Sequence, residues 1–112
     1  MKKEFKIISE IIKKNTRVLD VGCGDGTLMK FLKENKNVDT RGFEISKTKV
    51  QNCIGKGLSV IEGDAEKDLQ QFPDSSFDYA VLSQTLQAFY NPEKVIDDLL
   101  RVSKKAIVTI PN

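Results

Sequence analysis

Histidine does not occur in this sequence, which removes the one side chain whose ordinary pKa lies near neutrality. A Ser-His-Asp triad, a histidine general base and most zinc sites are excluded with it. Cysteine is nearly as scarce: Cys23 and Cys53 stand far apart and form no CxxC pair. They suggest neither a disulfide framework nor a thiolate metal cage, and they suit a reducing compartment. An excess of one charge sign is also missing, since 18 basic and 16 acidic residues leave +2 and Arg17, Arg41 and Arg101 are scattered. That balance argues against a nucleic acid or other polyanion as partner. No apolar run is long enough to span a membrane, and Lys6, Ser9 and Glu10 interrupt what would otherwise resemble a signal-peptide core. Cytoplasmic residence is the resulting expectation. Repeats and low-complexity tracts are lacking as well.

What remains is 112 residues, 39% hydrophobic and 30% charged, enough for one domain with one core. Phe5, Ile8, Ile11 and Ile12 recur at helical spacing and predict an amphipathic opening helix packed on the body of the domain. From Thr16 onward, short apolar runs alternate with helix-period segments. The runs at 17–21, 39–43, 58–61, 77–82 and 106–110 predict strands. Between them, helices are expected to bury Leu28, Phe31 and Leu32, then Val50, Cys53 and Ile54, and finally Val95, Ile96, Leu99, Leu100 and Val102. Ser46 and Asn91 are the expected N-caps, with Pro92 at a first helical position and Gly55 and Gly57 closing a helix. The order predicts an α/β fold, a doubly wound and mostly parallel sheet. Right-handed crossovers in such a sheet place ligand chemistry at the carboxyl ends of the strands.

Those ends carry the informative residues. In VLDVGCGDGT, residues 18–27, Gly22, Gly24 and Gly26 lie between the first strand and its helix. A glycine-rich turn there lets backbone approach a ligand, although a tight turn needing positive φ uses the same residues. A GxGxxG dinucleotide fingerprint would need glycine at 27, where Thr27 stands, and hydride chemistry loses support accordingly. Glu44 ends the second strand, where a carboxylate can accept from both hydroxyls of a ribose. Asp64, after the third strand, can accept from an exocyclic amine such as that of adenine, or simply form a Gly-Asp turn. Asp20, among Val18, Leu19 and Val21, needs donors if buried, and the glycine-loop amides are the expected source. Ser83 and Gln84 occupy the end of the fourth strand, ahead of Thr85 and Gln87. Cys23 is expected to fill space, without a histidine to activate it. Phe89 and Tyr90 read as packing residues, and Lys104 and Lys105 as a solvated start to the last strand.

Together, VLDVGCGDG, Glu44, the Gly63–Asp64 pair and FDYAVLS ahead of a helix resemble the class I S-adenosylmethionine-dependent methyltransferases. The resemblance implies a Rossmann-like methyltransferase sheet and S-adenosylmethionine as cofactor. It places the amino-acid end of that cofactor on Gly22, Gly24 and Gly26, the ribose on Glu44 and the adenine by Asp64, with Asp20, Ile45 and Ala65 as further expected cofactor contacts. Ser83 and Gln84 complete the expected contacts, and no catalytic residue is implied.

RGFEIS, GLSVIEGDAEKDLQQFPDSSFDYAVLSQTLQ and the stretch from Leu82 to Asn112 are similar to the methionine biosynthesis protein MetW family, with SQTLQ the most distinctive part. Members of that family are associated with methionine biosynthesis beside homoserine O-acyltransferase, which the resemblance implies as a partner. They also continue well beyond the position of Asn112. The expectation is therefore one methyltransferase-like domain over 1–112, incomplete at its C-terminus, with its last strand an open edge prone to self-association. A cofactor-binding partner of another enzyme and a free-standing methyltransferase both remain open, since no general base for an acceptor stands out.

Overall fold

The computed structural model describes residues 1–83 and 89–110. The order of elements is α1 (Lys3–Ile11), β1 (Arg17–Val21), α2 (Thr27–Lys36), β2 (Asp39–Glu44), α3 (Lys47–Gly55), β3 (Val60–Glu62), α4 (Ala65–Asp68), a 3-10 turn (Leu69–Gln71), β4 (Phe77–Ser83), α5 (Pro92–Val102) and β5 (Ser103–Thr109). All strand pairs are parallel, in the order β3-β2-β1-β4-β5. The expected doubly wound α/β sheet is what forms. Its direction reverses between β1 and β4, so the carboxyl end of β1 faces the crevice where such sheets bind ligands.

Two apolar layers enclose the sheet. On one face Ile8 and Ile12 join Leu28 and Leu32 over Val18 and Val81. On the other, Leu19, Phe43 and Leu82 meet Leu69 and Phe72 and the buried side of α5, Val95, Leu99 and Val102. Phe72 meets Phe43 and Phe77 edge-on, with centroids 6.0 and 5.7 Å away, a geometry that aromatic quadrupoles favour. Arg101 fastens the 3-10 segment to α5, donating to the carbonyls of Phe72 (2.7 Å) and Leu69 (3.1 Å) and to Asp74 (2.9 Å).

Several helix faces are narrower than the periodicity suggests. Met29 replaces Phe31 in the buried stripe of α2, while Ile11, Ile54 and Leu100 are exposed. The caps are as expected, with Ser46 accepting from Lys49 N and Asn91 from Lys94 N. The third strand starts two residues late because Leu58 donates its amide to Cys53 O and belongs to the turn that closes α3. The last strand starts three residues early. Ser103 Oγ donates back to Leu99 O at 2.6 Å, ends α5, and leaves no loop before β5. Lys104 and Lys105 thus lie within an edge strand rather than ahead of it, and Lys104 pairs with Asp78 at 3.4 Å. No helix among the described residues is long and apolar enough to cross a membrane.

Candidate functional site

At the end of β1 the chain turns through Gly22, Gly24 and Gly26, all at positive φ (74°, 60° and 86°), where a Cβ is strained. Gly22 N and Cys23 N donate to Phe43 O at 2.7 and 3.3 Å, prolonging the β1-β2 ladder into the loop. Glu44, 7% exposed, then does structural work with both oxygens. Oε1 accepts from Gly24 N and Oε2 from Ser46 N, each at 2.9 Å. One carboxylate so joins the glycine loop to the start of α3, and each oxygen keeps a further lone pair for a ligand. From the other side, Cys53 Sγ donates to Gly24 O (3.2 Å) and Lys56 Nζ to Asp25 O (2.8 Å).

The loop forms the floor of two adjoining hollows of about 430 Å³ each. The first runs from Gly22 and Gly24 past Glu44 and Ile45 to Asp64 and Ala65, and is closed by Phe89. The second extends the opposite way, past Cys23 to Ser83 and the first residues of α1. Gly22, Gly24 and Lys49 border both. Seven of the sequence-selected positions therefore converge. Ile45, 67% exposed, offers an apolar wall. Asp64 caps α4, accepting from Glu66 N at 2.9 Å through Oδ1 while its own amide donates to Asp68 Oδ2 at 2.7 Å.

Three selected positions stand apart. Gln84, like Thr85 and Gln87, lies outside the described residues. Gly26 borders neither hollow. A Cβ there would lie 2.4 Å from Leu58 Cδ1 and 3.1 Å from Cys53 Sγ, so its smallness serves the packing of α2 against α3. A Cβ on Gly24, by contrast, would meet nothing within 4 Å and point into open space. Asp20 lies behind the loop, 2% exposed. The expected amide donors do not reach it: they are taken by Phe43 O, Glu44 and Cys23 O. Its Oδ1 has no hydrogen-bond partner among the described residues. Burial first, and the neighbouring Glu44 second, raise its pKa to about 7.

Cys23 fills space as expected. It is buried with Met29, Cys53 and Leu58, and burial pushes its thiol up, reinforced by Asp20 and Cys53. A thiol so held is no nucleophile. Asp25 is drawn down instead, because Thr27 donates to it from its hydroxyl (2.7 Å) and its amide (3.1 Å). Tyr90 is not a packing residue but fully exposed, whereas Phe89 packs on the core and also borders the first hollow. Glu66 went unnoticed in the sequence. Its carboxylate accepts from Tyr90 N (3.1 Å) and Asn91 N (2.9 Å), tying α4 to the start of α5 across the hollow. Nothing in the local spacing could reveal that contact. Lys2, Phe5 and Lys49 were missed for the same reason.

A family model described as methionine biosynthesis protein MetW matches residues 2–112. This chain belongs to the MetW family. It is 33% identical over 113 residues to the bifunctional methionine biosynthesis protein MetXA/MetW of Rhodopirellula baltica, covering 94% of this chain and 18% of that protein. Ajmaline N-methyltransferase of Rauvolfia serpentina is 27% identical, over 88% of this chain and 36% of its own. Among solved structures, an S-adenosylmethionine-dependent methyltransferase of Thermotoga maritima superposes with a TM-score of 0.77 at 26% identity, covering 96% of this chain and 49% of that one. This MetW chain thus spans less than half the length of each of these relatives, while its sheet and flanking helices have the class I methyltransferase fold.

Proposed function

We propose that this chain binds S-adenosylmethionine and its demethylated product across the glycine loop, and serves methionine biosynthesis as a partner of homoserine O-acyltransferase. The observation that carries the binding is the pairing of Glu44 with Gly24. The acid sits where ribose hydroxyls can donate to it, beside a glycine whose missing Cβ would project into open space. Asp64 and Ala65 meet the base, with Ile45 as an apolar wall, and Ser83, the last residue of β4, borders the second hollow. Gly22 and Gly24 carry the amino-acid end, backed by Asp20 and held in shape by Gly26. The cofactor, when bound, supplies an electrophilic methyl on a sulfonium. The protein's part is to bind and orient it.

Glu44→Ala is expected to weaken S-adenosylhomocysteine binding roughly ten- to hundredfold, from lost hydrogen bonds of about 1 to 3 kcal/mol. Glu44→Gln keeps an acceptor for one amide and should fall between. Calorimetric titration checks both, and NAD bound as tightly as S-adenosylmethionine would overturn the assignment.

The partner role is supported by the Rhodopirellula relative, whose name joins MetW to MetXA in one bifunctional chain. The competing reading, a free-standing methyltransferase, is supported by the N-methyltransferase relative. Assaying homoserine O-acyltransferase with and without this protein, with labelled S-adenosylmethionine and candidate acceptors present, separates them. Increased acyltransfer supports the partner. Unchanged acyltransfer with label moved to a small molecule makes the protein a methyltransferase.

Self-association through β5 is a separate expectation. Among the described residues that strand pairs with β4 alone and forms the sheet edge, where open N–H and C=O groups invite another strand. Sedimentation of residues 1–112 should show a dimer that dissociates on dilution. A monomer across the whole concentration range would refute it.

A further inference from the structure

The opening helix, expected only to pack, brings a cation to the second hollow. Ile8 and Ile12 bury α1 against α2, Lys36 Nζ donates to Ser9 O, and the fixed helix places Met1, Lys2 and Phe5 on the rim opposite the glycine loop. Lys2 Nζ lies 5.5 Å from the centre of the Phe5 ring, a weak cation-π contact that a carboxylate can outcompete.

We propose that Lys2 recognises the α-carboxylate of the cofactor's amino-acid end, making α1 part of the cofactor site and a determinant of its selectivity. The inference rests on the binding reading above. A nucleoside whose ribose meets Glu44 and whose base lies toward Asp64 fills the first hollow. Its remaining arm reaches the second hollow over Gly22 and Gly24, the loop residues common to both. Past that point the charged side chains of the second hollow are Lys2, Lys49 and Asp25. Asp25 is engaged by Thr27. Lys49 borders both hollows, so it does not distinguish the two ends of the ligand, whereas Lys2 borders the second alone. A methyl acceptor in the second hollow would compete for the same space, and the test separates the two occupants.

S-Adenosylmethionine and its decarboxylated analogue differ only in the carboxylate. Titrating both into the wild type, Lys2→Gln and Lys6→Gln isolates the contact, since Lys6 is an exposed cation on the same helix that borders neither hollow. Lys2→Gln should weaken S-adenosylmethionine roughly five- to tenfold, as expected for a partly exposed charge-assisted bond. The analogue should be unaffected by that substitution, and Lys6→Gln should affect neither ligand. If Lys2→Gln weakens both ligands equally, or neither, while the wild type binds S-adenosylmethionine, the assignment of Lys2 is overturned and the binding reading survives. If the wild type binds neither ligand, both fall together.

Discussion

Gly26→Ala is expected to lower the unfolding free energy by about 2 to 4 kcal/mol, while Gly24→Ala, two residues earlier in the same motif, lowers it by only about 1. Both residues have positive φ, 86° and 60°, so both variants pay the left-handed backbone penalty. The difference lies in the space around each. The new methyl at position 26 would stand 2.4 Å from Leu58 Cδ1 and 3.1 Å from Cys53 Sγ. Leu58 is buried against Cys23, Met29 and Cys53, so its Cδ1 yields only by turning its side chain against that cluster or by shifting the turn after α3. At position 24 the methyl meets no atom within 4 Å. Ligand binding should show the reverse order: Gly24→Ala obstructs the floor of both hollows, and whatever Gly26→Ala still folds retains its affinity. Denaturant midpoints and ligand titrations on the two variants check the crossover. Equal stability losses would show that strain, not packing, dominates at both positions.

The same pair shows where the sequence was legible. The three glycines, Glu44 and Asp64 were found because each must stand at the end of a strand, and strand ends follow from apolar runs bounded by turn residues. The alternation of five strands with helices in a parallel sheet, and the caps at Ser46 and Asn91, were legible for similarly local reasons. Roles decided by contacts across the fold were not. Spacing made Gly26 the equal of Gly24, and only the approach of Leu58 from a different turn separates them. Helical periodicity placed α1 on the body of the protein. It carried no sign that the first turn of that helix reaches the glycine loop. The strand that began early depended on Ser103 bonding back to Leu99, a choice between two helix endings that propensity does not make.

Asp20 brings the largest expected dependence on pH, because the donors anticipated for it are committed elsewhere. Its pKa rises from an ordinary 3.8 to about 7 in the folded chain. Between those values the folded state holds a proton that the unfolded state has released, so stability falls as pH rises from about 4 to about 7 and levels off above. A shift of that size corresponds to about 4 kcal/mol as an order of magnitude. The carboxylates of exposed Asp25 and half-buried Asp78, whose pKa values are drawn down, act in the opposite direction and in a separate window below pH 4. Asp20→Asn cannot ionise and should abolish the slope. Its amide needs an acceptor where Oδ1 has no partner, so the net gain at pH 8 should be smaller, about 1 to 3 kcal/mol. The two proteins should converge or cross as the pH approaches 4.5. Urea unfolding of both chains from pH 4.5 to 8.5 measures this, and a difference constant across that range would show that Asp20 stays ionised in the fold. A buried acid kept at such a cost behind the glycine loop accords with a site that receives positive charge, since a sulfonium or ammonium group over Gly22 and Gly24 would favour the carboxylate that burial and Glu44 disfavour.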